Sequence, residues 1–335
     1  MRRALLIGLA VVIVGMLGTG VTVQRTIDPP GEAGEEVALT IPPGSSTAKI
    51  AAILDEKEVV ESARAFRIYT RLKGAGPFQA GDYTLRKRAT FGEIVEALDQ
   101  GPQIIQDRLT VPEGLTIGQI AERVGKLPGR SAEAFLEVAK SGEVRSSLQP
   151  DSVKTLEGLM FPDTYMLDRG DDEKEILQRM VTTFETVAAE TGIDQAAEGG
   201  RVTPYEAVVI ASLVEREARV AEDRGPIARV IYNRLERDML LQIDATVLYA
   251  LGEHKTRVLF SDLEVDSPYN TYKVKGLPPT PIAAPGRAAL AAAADPPAND
   301  FLFYVVVESD GTHAFARTGA EHQANIRQAE RNGVR

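Results

Sequence analysis

Residues 206–218 read EAVVIASLVEREA, an almost wholly apolar helical stretch that closes on two carboxylates, Glu215 and Glu217. Buried helices rarely carry acids, because desolvating a carboxylate is costly unless a partner or a function holds it there. At 3.6 residues per turn the two glutamates lie about 200° apart, so they cannot share one face. Glu215 sits one turn from Ser212 and Arg219, and Glu215–Arg219 is the favourable acid-then-base i,i+4 pair. Glu217 has Leu213, Val214, Val220 and Ala221 at its i±3 and i±4 positions, all apolar. Its carboxyl is therefore the candidate for a raised pKa and a proton-donor role. Two surface glutamates at a fraying helix end are the competing reading.

The chain around this helix is long and acidic. Its 335 residues suffice for two or three domains, and a 44% hydrophobic content supports real cores. With 48 acids against 38 bases the formal charge is −10, and basic residues occur in short pairs only, which argues against nucleic acid as a partner. There is no cysteine, so disulfides, thiolate nucleophiles and cysteine-ligated metals are excluded. The three histidines, His254, His313 and His322, show no metal-ligand spacing, and neither a metal nor a cofactor is expected.

Met1-Arg2-Arg3 precedes Ala4–Val23, twenty residues without a charge and long enough to cross a bilayer. Basic residues ahead of the span predict a cytoplasmic N-terminus, a single-pass anchor in the cell membrane, and an extracytoplasmic body after Gln24. A cleaved signal peptide is the alternative. Thr26–Glu36, rich in Pro, Gly and acids, reads as a linker.

From residue 37 to 104 the pattern is that of a small α+β unit. ALTI reads as a strand, PPGS as a turn and Ser46–Leu54 as a helix; a helix at Ala63–Leu72, a strand at Asp82–Leu85 and a helix at Thr90–Leu98 follow. LTIPPGSSTAKIA at 39–51 aligns without gaps on LTVPEGLTIGQIA at 109–121, so one strand–turn–helix device is used twice. Units of this type resemble the LysM module, which holds glycan strands of N-acetylated sugars; a packing unit without ligand affinity is the alternative.

Residues 105–332 read as one larger domain. Helices are expected at Ser131–Ser141, Asp172–Thr191, 204–218, through Val230–Leu235, at Ala288–Ala294 and at Gly319–Glu330. FLFYVVV at 301–307 is the strongest strand, with Gly311–Phe315 as its hairpin partner. Helices and strands mixed without a βαβ rhythm indicate an α+β fold.

LEGLMFPDTY (156–165), ASLVEREA (211–218), VIYNRLERDMLLQIDATVLYALG (230–252), SPYNTYKVKGLPPTPIAAPG (267–286) and GTHAFARTGAEHQANI (311–326), in this order behind an apolar N-terminal span, closely resemble the endolytic murein transglycosylase (YceG-like) family. The resemblance implies a single-pass anchor, a LysM-like subdomain and an α+β catalytic domain. It also implies a lytic transglycosylase that cuts nascent peptidoglycan strands internally and terminates their elongation. The family's catalytic glutamate, the second acid of its E-[KR]-E motif, falls on Glu217. Relatives often carry Thr or Ser where this chain has Ala218, and a polar residue where it has Ala284.

Other polar residues then become candidate cleft lining. Gln242 and Asp244, two apart in an extended LQID, would project to one side. Asp244 serves either as an electrostatic stabiliser of a cationic transition state or as the cap of a helix starting at Ala245. Ser267, Tyr269, Asn270 and Thr271 suit N-acetyl and hydroxyl groups, with turn chemistry as the competing reading. Asn233 is a helix-face hydrogen bonder, Glu157 and Asp163 are caps or contacts, and His313 and His322 suit supporting or surface positions. Expected partners are peptidoglycan strands, the membrane and glycan polymerases of a cell-wall synthesis complex. A muramidase-type hydrolase and a peptidoglycan-binding scaffold without catalysis are the alternative functions.

Overall fold

A computed structural model describes residues 27–28, 34–102, 106–195, 202–252 and 258–334. The expected span at Ala4–Val23 lies outside the described residues; among those described, no helix is long and apolar enough to cross a membrane. The chain divides into two compact units, Met1–Ile105 and Gln106–Arg335.

In the first unit, strand β1 (Glu36–Ile41) is followed by helices α1 (Thr47–Glu56) and α2 (Ala63–Lys73), strand β2 (Gly81–Arg86) and helix α3 (Phe91–Gln100). The two strands pair antiparallel, with Glu36 opposite Arg86 and Ile41 opposite Gly81. Ser46, Ser62 and Thr90 each cap a helix through the side chain, as hydroxyl residues ahead of an apolar run do. Phe66 and Phe91 meet edge to face, their centroids 5.3 Å apart, inside a core that also buries Leu39, Ile50 and Leu54.

The second unit opens with the second copy of the device. Strand β3 (Gln106–Thr110) turns into helix α4 (Ile117–Val124), capped by Thr116, and helix α5 (Ala132–Ser141) follows. Strand β4 (Thr164–Asp168) pairs antiparallel with β3. Helices α6 (Glu173–Thr191), α7 (Pro204–Glu217), α8 (Arg224–Glu236) and α9 (Asp244–Leu251) come next. Helix α10 (Arg287–Ala294), the antiparallel hairpin β5 (Phe303–Val306) and β6 (His313–Ala316), and helix α11 (Gly319–Arg331) complete it. The mixed α+β character is as expected, with small two-stranded sheets packed among helices. Strand β4 is short, and its alternation is blurred by Met166, which is apolar yet faces solvent between the buried Tyr165 and Leu167.

Helix α7 runs through the middle of this unit. A capping box of Thr203 and Glu206 with Pro204 in the first turn starts it, and every residue from Ala207 to Val214 is buried. Buried Ser212 donates to Val209 O (2.7 Å) and accepts Ile282 N–H (3.1 Å), which ties the 281–284 stretch to the helix. That stretch also crosses Gly158, where any Cβ would lie 2.2 Å from the Pro281 side chain, so only glycine fits.

Candidate active site

Helix α7 ends at Glu217, and Ala218 is already extended at φ −71° and ψ 127°. The ending sets the fate of both acids. Arg219 lies past the last turn, so no helical turn holds it near Glu215 as the i,i+4 pattern had suggested. Glu215 instead accepts Gly286 N–H at 3.1 Å. Burial moves its pKa upward, with repulsion from Glu113 adding and the Gly286 N–H opposing.

Glu217 faces an open cleft of about 480 Å³, together with Arg219, Gln242, Asp244, Tyr272 and Tyr304. Its Oε2 accepts the Tyr304 hydroxyl at 3.2 Å, and the Ala245 N–H at the start of α9 also donates to the carboxyl. Burial pushes the Glu217 pKa up to about 7, and the Asp244 carboxylate pushes in the same direction; the two hydrogen bonds and Arg216 oppose them. The apolar residues on Glu217's own helix, Leu213 and Val214, lie in the core behind it. The repelling charge that adds to the effect of burial, Asp244, comes from a different helix.

Asp244 is the first residue of α9 and makes no capping hydrogen bond; its Oδ1 accepts the Tyr272 hydroxyl at 2.5 Å. It is an exposed acid on the cleft. Gln242 reaches the same cleft, although not along a strand: its φ is +50°, a left-handed turn held by Gln242 N–H to Thr271 O at 3.1 Å. A non-glycine residue in that region stores strain of the kind found near functional sites.

The structure turns the other candidates to scaffolding. Asn270 is fully buried and donates to Leu263 O (2.8 Å) and Val265 O (2.9 Å) while accepting Tyr272 N–H (3.1 Å). Buried Thr271 accepts Ile243 N–H at 2.9 Å and meets Thr246 Oγ1 at 2.9 Å. The Tyr269 hydroxyl bonds Thr280, and its ring packs at a tilt on Tyr249. Ser267 accepts Tyr269 N–H at 3.2 Å. Asn233 donates to Asn299 O and Phe301 O, bracing the entry to β5. This loop thus positions Tyr272, the member that reaches the cleft.

Three features escaped sequence reasoning. Tyr304, the polar tip within FLFYVVV, bonds the key glutamate. Beneath it, buried Asp223 accepts both the backbone N–H and Nδ1 of His313 at 2.8 Å, and the His313 ring stands edge-on to Tyr304 with centroids 5.4 Å apart. Arg234 donates to Leu302 O (2.7 Å) and Leu241 O (2.6 Å), clasping β5 to the segment that delivers Gln242 and Asp244. A tyrosine in an apolar strand and an arginine in a buried helix face were the available signals. Among the described residues no group of three or more His, Cys, Asp or Glu could hold a metal ion.

Glu157 is not part of the cleft. It is buried, accepts Ile117 N–H (2.9 Å) at the start of α4 and the Tyr249 hydroxyl (3.0 Å), and is a structural cap. Burial raises its pKa to about 7 as well.

A model of the YceG-like family matches residues 39–328. A Bacillus subtilis (strain 168) protein described as an endolytic murein transglycosylase is 37% identical, over 85% of this chain and 82% of its own length. A Streptococcus pneumoniae (strain D39) protein of the same description is 31% identical, over 87% of this chain and 58% of its own. The crystal structure of a YceG-like protein from Listeria monocytogenes superposes with a TM-score of 0.59 at 34% identity, covering 87% of this chain and 99% of that one. The chain belongs to the YceG-like family.

Proposed function

We propose that this protein is a peptidoglycan lytic transglycosylase of the endolytic murein type, with Glu217 as both acid and base. The observation that carries the reading is a carboxyl whose pKa is pushed up to about 7, at the wall of a cleft and held by Tyr304 and Ala245. Such a group is protonated below neutrality and can return to the carboxylate within one turnover.

In the reaction, Glu217 donates its proton to the glycosidic oxygen between MurNAc and GlcNAc as the C1–O bond breaks and the MurNAc ring approaches an oxocarbenium ion. The resulting carboxylate is stabilised by the Tyr304 O–H and the Ala245 N–H. It then takes the proton from the C6 hydroxyl of the same sugar, whose oxygen bonds C1 and closes a 1,6-anhydro ring. Glu217 is left protonated, and no water is consumed. Asp244, exposed to the cleft and negative, lies where it can offset the developing positive charge, while Tyr272 fixes its orientation. Gln242 supplies an amide for substrate hydroxyl or N-acetyl groups.

The apolar N-terminal sequence supports a single-pass membrane anchor with a cytoplasmic N-terminus and an extracytoplasmic cleft, cutting strands as they emerge and so ending their elongation. The small first unit, LysM-like in its strand–turn–helix sequence, would bind the glycan strand. Glycan polymerases are the expected neighbours in that setting.

Mass spectrometry of uncrosslinked strands digested with the protein tests the reading. Internal fragments ending in 1,6-anhydroMurNAc, absent with Glu217→Gln, are expected. Ends carrying an added water would instead assign a muramidase in which Asp244 activates water opposite Glu217, and absence of cutting would favour a binding scaffold.

A further inference from the structure

Arg219 follows the cleft glutamate by two residues and lines the same cleft. Its aliphatic stem crosses the β5–β6 turn at Gly311, where a Cβ would lie 2.6 Å from both Arg219 Cβ and Cδ. Gly311 has a φ of +97°, so the turn is shaped to let the stem pass, and Arg219 remains exposed on the wall of the cleft. The other basic side chains of the lining are engaged. Arg234 is consumed by the Leu302, Leu240 and Leu241 carbonyls, His313 by Asp223, and His322 stacks on Phe303. Among the described residues, Arg219 is the lining cation with neither a hydrogen bond nor an ion pair.

We propose that Arg219 is a specificity-determining residue that binds a carboxylate carried by the substrate. The inference rests on the peptidoglycan-cleaving reading above and adds what the substrate must present. A guanidinium fork matches a carboxylate in two parallel hydrogen bonds, a geometry that neutral sugar hydroxyls do not share. The chain's net charge of −10 repels an anionic polymer at long range, and an unpaired cation inside the cleft offsets that repulsion where the strand is read. Two sources offer the group: the lactyl ether of the muramic sugar when it carries no peptide, and the acidic positions of an attached stem peptide.

The test is steady-state cleavage by the wild-type protein, Arg219→Gln and Arg219→Lys. Three strand preparations are compared: peptide-bearing, peptide-stripped with free lactyl carboxylates, and stripped with those carboxylates amidated. Arg219→Gln should raise KM about fivefold on a carboxylate-bearing preparation with kcat nearly unchanged, and Arg219→Lys should recover part of the loss. The preparation that responds identifies the source. Amidated strands should show no difference between wild type and variant. Equal KM values on both carboxylate-bearing preparations, an equal rise on amidated strands, or a loss confined to kcat would each overturn the proposal. Failure of the wild-type protein to cut would count against the parent reading alone. In that case equilibrium binding of the same strands to wild type and Arg219→Gln still decides the carboxylate question.

Discussion

Two carboxyl groups in the larger unit are pushed to about pH 7 by burial, yet their surroundings give them opposite work. Glu157 is buried, with one oxygen on Ile117 N–H and the other on the Tyr249 hydroxyl, so its hydrogen-bonding capacity goes to holding α4 against α9. Glu217 keeps one face toward an open cleft, where Asp244 also sits and Tyr304 donates. The direction of a pKa shift alone would not separate them. What separates them is the setting: Glu217 lines the cleft of about 480 Å³ together with Asp244 and Gln242, whereas Glu157 has both oxygens engaged at the wall of a separate, smaller pocket of about 240 Å³.

Breaking Glu217 should give the largest effect. Glu217→Gln is expected to lower kcat about a thousandfold while the thermal midpoint holds or rises, since a costly buried charge is removed. Breaking Glu157 should reverse the pattern. Glu157→Ala leaves the Ile117 N–H and Tyr249 O–H unpaired beside a cavity, and denaturant unfolding should show a loss of about 3 kcal/mol.

The pH dependence sharpens the contrast further. An acid whose folded pKa is about 7, against 4.5 unfolded, is ionised first in the unfolded chain as pH rises. Its contribution to stability is intact below about pH 4.5, falls between there and about pH 7, and stays lost above, by about 3 kcal/mol. Glu157→Gln should flatten that fall in unfolding measurements and leave the pH–rate profile in place. Smaller effects belong to the partners of Glu217. Tyr304→Phe should lower kcat about tenfold and move the alkaline limb of the rate profile to higher pH, because a donor to the carboxylate is lost. Asp244→Asn should move that limb to lower pH, because a repelling charge is lost.

Much of the architecture was legible because helix starts are written locally. Ser46, Thr90, Thr116, Ser131, Asp172, Thr203 and Thr318 all cap the helices their hydroxyls or carboxyl announce. Glu217, Gln242 and Asp244 were also reachable, through an acid at the end of an apolar helix and two polar residues close in sequence. The rest of the site depends on contacts between distant segments. Tyr304 meets Glu217 across 87 residues and His313 meets Asp223 across 90. No periodicity encodes such pairs. Turn-forming residues misled in the opposite direction: Asn270 and Thr271 look like sugar binders in sequence, but Asn270 closes its own loop and the Thr271 hydroxyl ties that loop to the start of α9. The Glu215–Arg219 pairing required the helix to run two residues further than α7 does.

The most direct test of the central claim, that Glu217 carries the proton used in cleavage, is the pH dependence of kcat/KM for wild type and Glu157→Gln side by side. Both should fall as pH rises through about 7, the pKa to which burial and Asp244 push Glu217. A fall already complete near pH 5, or one abolished in Glu157→Gln, would contradict the assignment.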